Sequence, residues 1–233
     1  MDVTPELLKN FAILKALTDK DLENLARYSV IRKFSRREIV LAAGKREENL
    51  CFLFEGRLQG VDFTIDGREV GLYFVEPGEF CGELSLFDDE AQVEHVIALT
   101  PIVAVSIPVE KIRAVMLANS TMLDFLSKKL TARIRKMTFQ RSLLALPNIE
   151  QRVCCQLWIL IDSKDKRGSE KCEIQNPPTH LELAIMLNVS RETVSRVFQN
   201  LQNQEIVRRS GTTKLEILKK QQLKNLAEGL HEM

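Results

Sequence analysis

Ser190-Arg191-Glu192-Thr193-Val194-Ser195-Arg196 has the form of the first turns of a helix built to enter a DNA major groove. Ser190 can cap such a helix, and Arg191, Glu192 and Arg196 then project from neighbouring sides of its end. An arginine offers a two-pronged donor to guanine O6 and N7. A glutamate accepts from the cytosine amino group and would only repel phosphates if it had no base to read. A carboxylate on a DNA-facing helix therefore argues for sequence readout. The competing reading is an amphipathic surface helix with a Glu192–Arg196 pair four residues apart, contributing only about 0.2–0.5 kcal/mol.

The surroundings decide between the two. Thr179-His180-Leu181-Glu182 has the form of a capping box, followed by apolar Leu183, Ile185, Met186 and Leu187, which predicts a preceding helix of about two turns. Asn188 stands where the chain must turn sharply with positive φ, a conformation Asn tolerates better than most residues. In the second helix Val194, Val197, Phe198 and Leu201 form an inward stripe and leave the polar triplet outward. Ile206-Val207-Arg208-Arg209, a Ser210-Gly211 turn and Lys214-Leu215-Glu216-Ile217-Leu218 read as a β-hairpin. The stretch is a winged helix-turn-helix, with the Lys219–Leu230 segment as a helix packed back on it through Leu223, Leu226 and Leu230.

Towards the N-terminus, seven of the ten glycines fall between Gly44 and Gly82. They punctuate short strands predicted at Glu38–Ala42, Leu50–Glu55, Leu58–Thr64, Glu69–Val75, His95–Leu99 and Ile102–Ile107, with Asp66-Gly67 as a hairpin turn. Turns so regular predict an antiparallel jelly roll. Glu6–Leu17 and Asp19–Tyr28 are predicted as helices laid over it. Between roll and winged domain, Leu123, Leu130, Met137 and Leu144 repeat every seven residues, and Leu126 and Ile134 fill the same seam, the pattern of a two-helix coiled coil. Phe125, Leu143 and Leu146 are left for the barrel side, while Lys128, Lys129, Arg133, Arg135 and Lys136 leave little other apolar surface. A solitary helix packed on its own domain is the alternative. Pro147 ends this helix, and Asn148 can cap the next, Ile149–Ile161.

The fold class is thus α+β: a β jelly-roll sensor domain at 1–118, a dimerisation helix and hinge at 119–147, and a winged helix-turn-helix at 148–233. With 233 residues, 45% hydrophobic and 28% charged, the chain can bury a core in each half. Net charge is +1, so local placement must supply any attraction to DNA. No apolar run approaches a membrane span and Met1-Asp2-Val3-Thr4-Pro5 lacks an export signal, which predicts a cytoplasmic protein. Cys51, Cys81, Cys154, Cys155 and Cys172 lack the spacing of a metal site and read as reduced thiols. A metal-dependent barrel enzyme would need clustered histidines, whereas the chain has only His95, His180 and His231; no catalytic, metal or cofactor site is predicted.

This order of parts resembles the CRP/FNR superfamily of bacterial transcription regulators over essentially the whole chain. The helix heptapeptide and Pro77-Gly78-Glu79-Phe80-Cys81-Gly82-Glu83-Leu84-Ser85-Leu86-Phe87, which is similar to the phosphate-binding cassette of cyclic-nucleotide domains, carry the resemblance. It implies a homodimer whose paired recognition helices read a palindromic double-stranded DNA operator, with Arg191, Glu192 and Arg196 matching positions that read a TGTGA-type half-site. Thr179, Ser190, Thr193, Ser210 and Gly211 would contact phosphates. RNA polymerase is a further implied partner, with Arg32, Lys33, Arg36 and Arg37 either touching it or forming a solvated strand edge.

The effector pocket implied for a small-molecule nucleotide comprises Gly82, Glu83, Leu84, Val93 and Glu94, and here the chain departs from the cyclic AMP pattern. Glu83 matches the residue expected to accept from a ribose hydroxyl. Val93 and Glu94 stand where an Arg-Ser pair is expected, so the arginine that would neutralise the cyclic phosphate is missing. The lost charge-assisted pair is worth about 1.5–3 kcal/mol, which disfavours cyclic AMP control. Binding without effector, an unidentified effector, or cyclic di-GMP as in the Clp branch, which is similar at Glu94, remain open. So does a partner-binding nucleotide module without DNA activity. The superfamily's oxygen sensors need an N-terminal cysteine group that is missing before Cys51, and its haem sensors need a barrel histidine, for which His95 is the candidate.

Overall fold

The computed structural model describes residues 2–63, 67, 69–161, 171–211 and 213–230. The chain forms two compact units, Met1–Arg135 and Lys136–Met233. The first begins with α1 (Pro5–Leu8), a 3-10 turn (Ala12–Leu14) and α2 (Asp19–Tyr28). The single helix expected over Glu6–Leu17 is broken in two. The Asn10 amide donates to the carbonyls of Glu6 and Leu7 at 3.3 and 3.0 Å, closing the first turn. Phe11 then adopts an extended conformation and is wholly buried. Thr18 caps α2 by accepting from the Asp21 amide at 3.2 Å.

Eight strands follow in two four-stranded antiparallel sheets. One has the order β1 (Val30–Phe34), β8 (Ile102–Pro108), β3 (Asn49–Glu55), β6 (Phe80–Cys81). The other runs β2 (Ile39–Leu41), β7 (His95–Ala98), β4 (Leu58–Phe63), β5 (Glu69–Val75). The β4–β5 hairpin pairs from Leu58↔Val75 to Phe63↔Glu69, while Thr64 and Asp66 of the expected strand end and turn lie outside the described residues. The unbroken apolar run in β3 has a physical cause, since both its faces are covered. Leu50 and Phe52 pack with the helices, among them Leu8, Phe11, Leu22 and Leu25, whereas Cys51 and Leu53 face the space between the sheets. Phe52 lies between the Phe11 and Phe80 rings, each centroid 5.1 Å away.

Behind the roll, α3 (Val109–Ala118), which the sequence reading did not pick out, precedes α4 (Ser120–Leu144), the long helix expected. Three expectations about α4 and its C-terminal end need correction. Leu126 is 0% exposed and sits with Met122 in the core shared by Phe52 and Ile112, so its own domain uses the side chain that was given to the seam. Phe125, expected on the barrel side, is instead exposed. Leu123, Ile134 and Met137 are exposed, and Leu130 and Leu144 half-buried. Leu143 and Leu146, also expected on the barrel side, pack instead into the core of the second unit.

That second unit opens with α5 (Ile149–Leu160), capped by Asn148, which accepts from the Gln151 amide at 3.3 Å. Then come β9 (Cys172–Gln175), α6 (His180–Leu187), α7 (Arg191–Asn203), β10 (Val207–Ser210), β11 (Lys214–Ile217) and α8 (Lys220–Glu228). The wing carries a third strand beyond the expected hairpin, with order β10-β11-β9. Val153, Leu157, Val194, Phe198, Leu201, Leu215 and Leu223 share one core, with α8 packed back through Leu223 and Leu226, whereas Leu230, expected on the same stripe, lies past the end of the helix and is exposed.

Leu126→Ala should cost about 2–5 kcal/mol of folding free energy in urea titration, and equally at low and high protein concentration. A loss that changed with concentration would return Leu126 to an intermolecular seam.

Candidate nucleic-acid interface and effector site

In the second unit, local chemistry fixes the position of each proposed reader. The Thr179 hydroxyl accepts from the Glu182 amide at 3.2 Å and the Glu182 carboxylate accepts from the Thr179 amide at 2.8 Å, the reciprocal capping box read from the sequence. Asn188 ends α6 at φ 51, ψ 52, as expected. Ser190 then caps α7, accepting from the Thr193 amide at 3.1 Å with the Thr193 hydroxyl 2.9 Å away. These two caps set the angle at which α7 leaves the turn, and Val194, Val197, Phe198 and Leu201 bury its inner face.

What remains outside is the polar triplet. Arg191, Glu192 and Arg196 are exposed, as are Thr179, Ser190, Ser210 and Gly211, with Thr193 half-buried. The Glu192 carboxyl is held below its usual range by accepting from its own amide and from the Ser190 hydroxyl, aided by the Arg191 charge. The carboxylate is thus an anion turned to the start of its helix, and two guanidinium groups stand on the same exposed end. One contact escaped the sequence reading. The His180 ring, at the start of α6, places Nδ1 2.9 Å from the Ser195 hydroxyl and lies 4.5 Å from the Phe198 ring, tying α6 to α7. Burial first, and then the charges of Arg209 and Arg191, lower the His180 pKa.

The first unit gathers the residues of the expected effector pocket around a tight turn. Gly82 sits at φ 90, a left-handed conformation that a side chain would strain, and begins the 3-10 turn Glu83–Leu86. Glu83 and Glu94 are each only 3% exposed. Val93 is 66% exposed and turns outward, so the structure does not bring it to the cluster, and Leu84 is half-buried on the turn.

Between the two buried carboxylates lies Arg133, which the sequence reading had counted only among the cations that leave little apolar surface on α4 beside the seam. The Arg133 Nη1 donates to Glu83 Oε1 at 3.0 Å, and Nη2 donates to Glu94 Oε1 in a short contact. The Tyr73 hydroxyl donates to the same Glu94 oxygen at 2.8 Å, and the Arg133 guanidinium lies 4.4 Å from the Tyr73 ring centroid. Burial alone would lower the Arg133 pKa, but Tyr73, Glu83 and Glu94 together raise it, so the cation is permanent. Burial pushes the Tyr73 phenol up, which keeps it a neutral donor. Gly60, opposite Tyr73 in the β4–β5 pair, makes room, because a Cβ there would lie 2.4 Å from the ring. One turn earlier on α4, the Lys129 ammonium donates to the Phe80 carbonyl at 2.7 Å and lies 3.9 Å from the Phe80 ring centroid.

A signal for this face was present in the sequence. Met122, Leu126, Lys129 and Arg133 follow one another at four, three and four residues, a single helical stripe, and two cations on a stripe that begins with core residues must find buried partners. The other candidate pocket residue, His95, accepts from the Ala43 amide at Nδ1 at 3.2 Å and packs edge-on to Phe63, so that nitrogen already has a structural partner. No cluster of metal-ligating side chains occurs among the described residues, and no helix among them is long and apolar enough to cross a membrane.

A β-roll joined to a winged helix-turn-helix has the architecture of a two-part DNA-binding regulator. Comparison with known families agrees: the pattern of the cyclic nucleotide-binding domain matches residues 31–119 and that of the Crp-like helix-turn-helix domain matches residues 151–226. The chain belongs to the CRP/FNR superfamily of DNA-binding transcription regulators. Among its relatives, the cAMP-activated global transcriptional regulator CRP of Pasteurella multocida is 26% identical over 84% of this chain and 93% of its own. The cAMP-activated global transcriptional regulator Vfr of Pseudomonas aeruginosa is 28% identical over 83% of this chain and 92% of its own. In fold, the chain is similar to FixK2 of Bradyrhizobium japonicum, with TM-score 0.71 and 17% identity over 85% of this chain and 96% of that one. It is also similar to the c-di-GMP responsive global regulator CLP of Xanthomonas campestris, with TM-score 0.64 and 22% identity over 85% of this chain and 98% of that one.

The lowered pKa of His180 makes acid the destabilising direction. An unfolded histidine takes up its proton near the ordinary value of about 6.5, while the folded site resists until lower pH. Its contribution to stability is therefore complete above that value and is lost as pH falls through the folded pKa. NMR titration of the His180 ring should give a midpoint below 6.5, and Arg209→Ala should move it upward. A wild-type midpoint at or above 6.5 would contradict the burial and charge environment described for the ring.

Proposed function

We propose that the protein acts as a homodimeric regulator that reads a palindromic, TGTGA-like operator with Arg191, Glu192 and Arg196. The observation that carries this reading is the exposed triplet on α7, a helix capped by Ser190 whose opposite face is buried. Arg191 and Arg196 suit guanine edges in the major groove, and Glu192 suits a cytosine amino group. Thr179, Ser190 and Thr193, with Ser210 and Gly211 on the wing, supply hydroxyls and amides for phosphates and so fix register. The half-sites lie about one helical turn, roughly 34–36 Å, apart.

Dimerisation uses the stripe of exposed Leu123, Ile134 and Met137 and half-buried Leu130 and Leu144 of α4, without Leu126. The working division of the chain is the sensor at 1–118, the dimerisation helix and hinge at 119–147 and the DNA reader at 148–233, operating in the cytoplasm with RNA polymerase as partner. Cyclic AMP control is disfavoured, because Glu94 adds a buried carboxylate where an anionic nucleotide would bind. A cyclic di-GMP-responsive regulator of the Clp type is the second reading, favoured by Glu94 itself and by the similarity of fold.

Operator titration tests the reading directly. Arg191→Ala should lose about 1–3 kcal/mol of specific binding and relax the preference at one base pair, with salt dependence little changed. Unchanged affinity would sink the DNA-readout assignment. Adding cyclic AMP to the wild type should leave operator affinity within about twofold, and tight activation would overturn the reading of the pocket.

A further inference from the structure

We propose that Glu94 is the resident ligand of the effector site: its carboxylate fills the place of an external anion against Arg133 and so ties α4 to the β-roll with no nucleotide bound. This rests on the regulator reading above for its consequence in DNA binding, but the clamp itself is a property of the first unit alone.

The cluster is a network of four side chains. Arg133 comes from the long helix, Glu94 from the residue before β7, Glu83 from the 3-10 turn and Tyr73 from β5, so the contacts join four separate elements. Glu94 receives both the guanidinium and the phenol, and the guanidinium spends its remaining terminal nitrogen on Glu83. The adjacent polar pair is satisfied as well, since the Gln92 amide donates to the Ser85 hydroxyl at 2.8 Å and both residues are buried. Val93, turned outward, supplies nothing to the interior.

With one cation between two carboxylates, the cluster carries a formal excess of one negative charge. A cyclic nucleotide would add another. It could pair with Arg133 only by displacing Glu94, and that would leave a buried carboxylate without its cation, which is among the costliest arrangements a protein interior can hold. The same arithmetic makes the clamp self-sufficient: the charge that a nucleotide phosphate would bring is already covalently attached at residue 94. Glu94 is thus the residue that determines specificity at this site, and it sets the response to anionic nucleotides at zero.

Two readouts on full-length protein test this. Hydrogen exchange of peptides covering 128–135 and 83–86 follows the clamp itself, and fluorescence anisotropy on an operator fragment follows its consequence. Glu94→Gln keeps the shape and removes the charge. It should speed exchange in both segments by about tenfold or more and weaken operator binding about tenfold, with the dimer mass unchanged. Cyclic AMP, cyclic GMP and cyclic di-GMP should each change wild-type operator affinity by less than about twofold. Unchanged exchange in E94Q, or a tenfold gain in wild-type affinity with any of the three nucleotides, overturns the proposal. Faster exchange in E94Q while the wild type ignores operator DNA would uphold the clamp and refute the DNA reading. Should E94Q not fold, Tyr73→Phe removes only the phenolic donor and should raise the same exchange about two- to fivefold. No change in Y73F would then overturn the proposal.

Discussion

A guanidinium shared by two buried carboxylates ties together four elements of the first unit. Arg133 cannot shed its proton, and Glu83 and Glu94 are almost fully removed from water, so each needs the others in place. The constraint reaches outward through the elements involved. The 3-10 turn must present Glu83, which requires the left-handed Gly82. Strand β5 must present Tyr73, which requires the missing side chain at Gly60. The face of α4 that points at the roll is settled as well, because a rotation that moved Arg133 away would also withdraw Met122 and Leu126 from the core.

The apolar half of the same design is centred on β3. A strand buried on one face alternates, but this one joins two cores, one with the N-terminal helices and one between the sheets. Phe52 therefore transmits position from Phe11 to Phe80, and the Phe80 carbonyl and ring in turn receive Lys129 from α4. The turn that carries Glu83 begins three residues after Phe80. Packing and polar contacts thus converge on one short segment, so changes in the sensor core and in the polar cluster are not independent.

What the sequence disclosed follows from how local each determinant is. The capping box at Thr179, the positive φ of Asn188, the Ser190 cap and the strand Glu69–Val75 are written within a few residues, and the structure has them where they were expected. The α1 region misled because Glu6–Leu17 has helical composition, while the Asn10 side chain competes for two carbonyls and ends the helix early. Strand β9 was missed because it is only Cys172–Gln175 and exists by pairing with β11, far along the chain. Leu126 fitted the heptad by spacing alone, and only the presence of a core beneath it shows which partner it serves.

The two sites differ in the same respect, and the difference has a functional side. The residues proposed to read DNA are positioned by caps written within one short stretch, so their placement is legible from sequence. The buried polar cluster is assembled from Tyr73, Glu83, Glu94 and Arg133, with Gly60 making room, on elements that are far apart in the chain. No window of sequence contains it, and a spacing rule that matches the turn at Gly82–Glu83 is silent about which side chain fills the space beyond. A single replacement at residue 94 can therefore alter the charge balance of the sensor while leaving every local signature of the fold in place. Charge pairing across the fold positions the first cluster and helix capping within one stretch positions the second, so the two depend on separate parts of the chain.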